Sequence, residues 1–403
     1  MKRTIRANPE FASELVCIIP YVYWLHTQGK LEKVVTSKDM KPFYYFCDKV
    51  EEYFDMRTLD NRNSGLEDTP NEWVHHNAES VTGKDYSELT EQQQNDVNGV
   101  LDYSEWIPPP YTEKYKTDEF KFEKPVIVVN NNYNIEYGKP ITESLRFFDI
   151  KTLYDIFSYL TENGYTVVYK RPDNTEFTLD QNEMSTLDSK LSLTADVAGV
   201  GIISDYDLCE YFDGNVINMN KMKKDYPQYD YNEFQLKLFS SAEGFVTTNG
   251  GGGILCSYFK KPVVMYIPHG KELRANYVTN KDSYLNKLSE NNIHPILDEG
   301  NLNNYSKVIE KIKAIFELCV SYIKAISLLI SFKPDAIFST GGYISLPVGL
   351  AAPLLRIPLF IHEQNSVAGL SNRILNKFSR ITFEGFPGTF KTDNGAEFVG
   401  NPL

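Results

Sequence analysis

The chain has 403 residues, 42% apolar and 13% aromatic, with a formal net charge of -13. That length exceeds one ordinary domain, so two or three domains of roughly 100 to 200 residues are expected, and the composition excludes a disordered chain. Residues 313–403 carry eight Lys or Arg against six Asp or Glu and residues 1–312 carry 33 against 48, so nucleic acid is excluded as a partner of the strongly acidic part.

The N-terminus, MKRTIRANPEFASELV, has basic residues but no apolar run of signal-peptide length. Cys17, Cys47, Cys209, Cys256 and Cys319 are scattered singly with no C-x-x-C pair, which points to reduced thiols, a cytoplasmic location and no metal site. In residues 1–120, Leu15, Ile18, Ile19, Val22 and Leu25 recur at spacings of three and four, predicting a helix interrupted or kinked by Pro20. PFYYFC predicts a short strand after it, and loops dominate from Asp60 to Thr117.

From about residue 121 the pattern becomes strand, helix, strand. KPVIVVNNNYN and YTVVYKRP are apolar runs flanking the helix-like IKTLYDIFSYLTENG. GVGIISD, NEFQLKLFSSA, GFVTTN and PVVMYIP continue it. Strands alternating with helices imply a Rossmann-type, doubly wound parallel sheet over residues 121–312. Residues 313–403 open with KAIFELCVSYIKAISLLISFK, a helix whose polar stripe is Glu317, Ser321, Lys324, Ser327 and Ser331; it is too short and too charged to span a bilayer, and packs on a sheet or lies at a membrane surface. PDAIFST, LPVGLAAPLLR, IPLFIHE, LSNRILNKFS, RITFEG and EFVGNP then repeat the strand–helix order, so a partial α/β half-domain is expected there.

Ligands of parallel α/β sheets bind beyond the carboxyl ends of the strands. At TTNGGGGILCSYF, Asn249 and Gly250, Gly251, Gly252 and Gly253 follow a strand and open a helix, where bare backbone N–H groups can hold a donor diphosphate. A tight turn needing positive φ explains the glycines equally well. His269, Lys271 and Arg274 follow the next strand as further cations, or as ordinary surface charge. STGGY places Thr340, Gly341 and Gly342 at another strand end, and HEQN places His362, Glu363 and Asn365 at a third.

The order TGGY, HEQN with the following G-x-x-NR, and GNP at Gly400 to Pro402 resembles the MurG-type transferases of glycosyltransferase family 28, over roughly residues 316–403. The resemblance implies a GT-B fold, of which this segment is the second half of the acceptor domain. Residues 1–312 resemble a GT-B-like unit more distantly. The implied activity is inverting transfer of a hexose, N-acetylglucosamine in the family, from a UDP-sugar to a lipid-linked peptidoglycan precursor, or to a polysaccharide, without metal or other cofactor. It assigns Thr340, Gly341, Gly342 and Tyr343 to acceptor contact, with Asn365 and Asn372 beside them, and His362 and Glu363 to catalysis. A peripheral contact with the inner face of the cell membrane belongs to the same expectation. The family's glycine-rich loop is not spelled out upstream of HEQN, so a non-catalytic fusion or relic is the competing expectation.

Overall fold

The computed structural model describes residues 2–55, 57, 69–71, 86–90, 94, 98–131, 147–171, 194–267, 278–297, 321–322, 324–342, 344–390 and 396–401. His269, Lys271, Arg274, Glu317, Tyr343 and Pro402 lie outside them. The chain forms two compact units, Met1–Ile309 and Glu310–Leu403.

Unit 1 begins with a three-stranded parallel sheet, β1 (Arg3–Arg6), β2 (Leu31–Ser37) and β3 (Val50–Phe54), paired in that order. Between β1 and β2 the chain is helical over Phe11–Ser13, passes through a π turn at Glu14–Ile18, and continues as the helix Ile19–Thr27. The three stretches are contiguous, with Ser13, Ile18 and Ile19 all in the right-handed helical region, so the run is one helix interrupted by a π turn just before Pro20, as expected; with no Pro20 N–H to serve it, the Val16 carbonyl accepts from Trp106 Nε1 at 2.7 Å. Leu15, Ile18, Ile19, Val22 and Leu25 are all buried. PFYYFC is not a strand: Lys41–Tyr44 forms a 3-10 turn that buries Phe43 and Tyr44.

The second sheet of unit 1 has six parallel strands in the order β11-β10-β9-β4-β5-β8: β4 (Val126–Asn130), β5 (Thr166–Lys170), β8 (Val216–Asn218), β9 (Gly244–Thr248), β10 (Val263–Ile267) and β11 (Ile293–Leu297). The helix Ile150–Glu162 joins β4 to β5. Asp149 caps it by accepting from the Thr152 N–H at 2.7 Å, and Leu153, Ile156, Phe157 and Leu160 form its buried stripe. GVGIISD does not join this sheet; Gly201–Ser204 (β7) pairs antiparallel with Thr194–Val197 (β6). One continuous apolar cluster, from Ile5 to Ile293, packs both sheets of unit 1 together.

Unit 2 contains four parallel strands in simple order, β12 (Ile337–Ser339), β13 (Leu359–Glu363), β14 (Ile381–Glu384) and β15 (Glu397–Phe398). The helices Ser345–Leu354 and Leu370–Leu375 follow β12 and β13. Leu346, Ala352, Leu359, Ile361 and Leu375 make the core beneath them. Residues 324–332 are helical and bury Ala325 and Leu329, leaving Leu328, Ile330 and Phe332 exposed. The two α/β units thus have the parallel, helix-covered sheets expected from the alternating pattern.

Candidate functional site

Thr340 to Gly342, His362 to Asn365, and Gly400 with Asn401 meet at the carboxyl ends of β12, β13 and β15. Each is placed by a strand that delivers its last residue to the same edge.

Glu363 ends β13 and is 2% exposed. Its Oε1 accepts from the Asn365 N–H at 3.0 Å and from Asn365 Nδ2 at 2.9 Å; its Oε2 accepts from the Gly369 N–H and from Asn372 Nδ2, both at 2.9 Å. Burial pushes this carboxyl up, but the Asn365, Gly369 and Asn372 donors outweigh it and hold Glu363 below the ordinary range. The carboxylate thereby fixes the whole loop that leads into the helix Leu370–Leu375.

His362 is buried beside it. Its Nε2 lies 3.0 Å from the carbonyl oxygen of Gly400, and because a carbonyl can only accept, Nε2 carries the hydrogen. Nδ1 is left as a buried lone pair with no partner among the described residues. Asn401 Nδ2 donates to the Gln364 carbonyl at 3.1 Å, so GNP is tied to HEQN at two points.

Gly341 and Gly342 have φ of +91° and +89°, the left-handed region that glycine occupies without strain. A Cβ on Gly341 would lie 2.7 Å from Asn372 Nδ2, so the turn after β12 is pressed against the amide that Glu363 holds. Asn372 Oδ1 is buried with no partner among the described residues. Thr340 is exposed at the same turn.

The residue patterns did not single out Glu384, the last residue of β14 and the register partner of Glu363. Its Oε1 accepts from the Gly388 N–H at 2.8 Å and its Oε2 from the Phe390 N–H at 3.3 Å. The available signal was a carboxylate closing two successive apolar strands, LFIHE and ITFE, each before a glycine-bearing loop.

Asn249, Gly250, Gly251, Gly252 and Gly253 lie in unit 1, at the end of β9. Gly250 has φ +121°, and a Cβ on Gly253 would lie 2.7 Å from the Thr248 carbonyl oxygen, so conformation and close packing require glycine at these two positions. A Cβ on Gly251 would lie 3.0 Å from the Phe11 ring. The glycine turn therefore sits against the segment that follows β1.

Both units are parallel α/β folds with polar side chains at their strand ends, the edge at which ligands of such sheets generally bind. Residues 271–383 match the model of the Glycosyltransferase family 28 N-terminal domain. The UDP-N-acetylglucosamine--N-acetylmuramyl-(pentapeptide) pyrophosphoryl-undecaprenol N-acetylglucosamine transferase of Vibrio cholerae serotype O1 is 46% identical over 92 residues, covering 23% of this chain and 25% of that protein. The enzyme of the same name from Coxiella burnetii is 42% identical over 92 residues, covering 23% of this chain and 24% of that protein. The chain thus spans about a quarter of the length of these curated relatives. The crystal structure of Acinetobacter baumannii MurG overlaps 40% of this chain and 45% of its own at 28% identity, with a TM-score of 0.21, too low to carry an argument about the fold.

Proposed function

We propose that the chain is a glycosyltransferase that moves a hexose, N-acetylglucosamine, from a UDP-sugar to a lipid-linked muramyl-peptide or related polysaccharide acceptor. The observation that supports this most is the convergence of the three family motifs on one strand-end cluster, Thr340 to Gly342, His362 to Asn365 and Asn372, and Gly400 with Asn401. In the reaction the acceptor hydroxyl attacks C1 of the sugar. The bond from C1 to the diphosphate oxygen breaks, its electron pair leaves with UDP, and the hydroxyl proton passes to a base.

Glu363 is poorly suited to be that base, because four donors occupy its oxygens and lower its proton affinity. It acts here as a positioning residue that holds Asn365 and Asn372 toward the acceptor. His362 is the better proton acceptor: its Nε2–H is anchored on Gly400 O, and its Nδ1 lone pair has no described partner. Thr340, Gly341, Gly342 and Tyr343 contact the acceptor, and the turn from Asn249 to Gly253 contacts the donor phosphates. Leu328, Ile330 and Phe332, exposed between Lys324 and Lys333, make the peripheral contact with the inner face of the membrane. Among the described residues no helix is long and apolar enough to cross a membrane.

UDP release in the presence of lipid-linked acceptor tests the proposal. His362→Ala is expected to abolish release while leaving the fold intact; release unchanged in that variant removes the C-terminal site from the mechanism. A second reading, a non-catalytic module, is favoured by the full engagement of the Glu363 carboxylate with its own loop. It predicts no UDP release from the native chain under any acceptor.

A further inference from the structure

Three successive carbonyls at the end of β13 each accept from a different residue on the neighbouring strand ends. Glu363 O accepts from the Gly385 N–H at 2.8 Å, Gln364 O from Asn401 Nδ2 at 3.1 Å, and Asn365 O from Thr389 Oγ1 at 3.2 Å. On its other side the same turn is held by the Glu363 carboxylate, which accepts from the Asn365 and Gly369 N–H groups. The backbone that carries His362 and Asn365 is therefore fixed from two directions before a ligand arrives.

The donors on the first side come from the loops after β14 and β15, and Glu384 holds both. Its carboxylate accepts from the Gly388 and Phe390 N–H groups, which closes residues 385–390 into a turn in which Gly388 takes φ +77°. Its backbone carbonyl accepts from the Val399 N–H at 3.1 Å and so sets the approach of Gly400, whose own carbonyl meets His362 Nε2. A Cβ on Gly385 would overlap the Asn401 amide, so the two loops pack directly on each other. Glu384 and Thr389 are both buried. A buried carboxylate is unfavourable unless its oxygens are satisfied, and packing of β14 alone would be served by an apolar side chain, so the turn is what calls for Glu at this strand end.

We infer that Glu384 is a positioning residue of the acceptor side: its carboxylate orders the turn that carries Thr389, and Thr389 braces Asn365. This rests on the reading of the chain as a transferase and deepens it, assigning the preorganisation of the acceptor contact to a residue outside the three motifs. The anchor of His362 depends on the Glu384 backbone and not on its side chain, so a side-chain replacement should disturb acceptor binding more than the chemical step.

The test is UDP release by the full chain, with the UDP-sugar and the lipid-linked acceptor varied separately. Glu384→Gln keeps the shape but turns an amide donor toward one of the two N–H groups. It is expected to raise the acceptor KM at least about tenfold, the scale of a lost hydrogen bond to a charged group, with kcat and the UDP-sugar KM changed less than about threefold. Thr389→Val should raise the acceptor KM by less, because that hydroxyl shares its one hydrogen between Asn365 and the Phe386 carbonyl at 2.8 Å, and Thr389→Ser should keep the native value. Glu397→Gln, exposed on β15, should change nothing. A fall in kcat with both KM values native in Glu384→Gln marks a loss of folded protein and overturns the inference, as does a Thr389→Ser chain that behaves like Thr389→Val. Amide exchange of the unliganded chain decides the matter without any reaction. Glu384→Gln should accelerate exchange over residues 385–390 and over 364–369, and acceleration confined to 385–390 refutes the positioning role. A native chain that releases no UDP removes the transferase reading, and the exchange result then decides the role of Glu384 on its own.

Discussion

Replacing Glu363 by alanine removes in one step the acceptor of four hydrogen bonds, two from the N–H groups of Asn365 and Gly369 and two from the amides of Asn365 and Asn372. At about 1.5–3 kcal/mol for a bond to a charged group, a simple total would be roughly 6–12 kcal/mol. Asn365 and Gly369 are exposed, however, so water takes the place of the carboxylate there. The buried Asn372 amide is the group left without a partner, which reduces the expected cost to about 2–4 kcal/mol. Read as amide hydrogen exchange over residues 364–376, this accelerates local opening by roughly 30- to 700-fold. Acidity supplies a second signature. Because the folded carboxyl titrates below its ordinary value of 4.5, its stabilisation is complete above that value and disappears as pH falls from there through the lower folded pKa. The difference between native and variant chains should therefore close on acidification below 4.5. A variant less than about 0.5 kcal/mol weaker, or a gap unchanged between neutral and strongly acid pH, would refute the account of Glu363 as the organiser of its loop.

Gly341→Ala should destabilise unit 2 by about 1–3 kcal/mol, since it combines a left-handed backbone with a clash against Asn372. Gly342→Ala, at φ +89° in open space, should cost only about 1 kcal/mol, and the two compared by exchange over the same segment separate strain from collision. Arg57→Met leaves the fully buried Glu14 without its cation, although Thr36 and Tyr44 still donate to it; a loss of about 3–5 kcal/mol is expected in urea unfolding followed by tryptophan fluorescence. Gly253→Ala drives a Cβ into the Thr248 carbonyl and should lower the same transition by about 1–3 kcal/mol, with an unchanged midpoint counting against the close packing described.

The central strands of the six-stranded sheet and the strands of unit 2 were legible because they are apolar runs that end in small or polar residues, whereas β1, β2 and β3 were not read as strands. Nor were β8 and β11, and both are edges of the six-stranded sheet. An edge strand needs only one set of partners, so Val216–Asn218 can be three residues long and Ile293–Leu297 can carry Pro295. PFYYFC misleads because aromatic residues favour strands in general, whereas here Phe43 packs edge-on against Phe11 and Tyr111, and Tyr44 hydrogen-bonds Glu14. In the C-terminal site, the strand-end positions of Thr340, His362 and Glu363 follow from the sequence pattern. Where the Glu363 lone pairs go does not follow, since its partners lie two, six and nine residues away on a loop whose path only the fold determines.

The single apolar cluster of unit 1 limits how that part of the molecule can respond to a ligand. Trp106 Nε1 donates to the Val16 carbonyl at 2.7 Å, Tyr111 Oη to Phe43 at 2.9 Å, and Asn232 Nδ2 to Asp39 at 2.8 Å, while Tyr258 donates to Leu15. These bonds tie the segments around the small sheet to those around the large one, in and beside the shared apolar cluster. A hinge between them would have to open the core itself, so the two sheets move as one body. The strand framework of unit 1 therefore keeps its shape as a single piece.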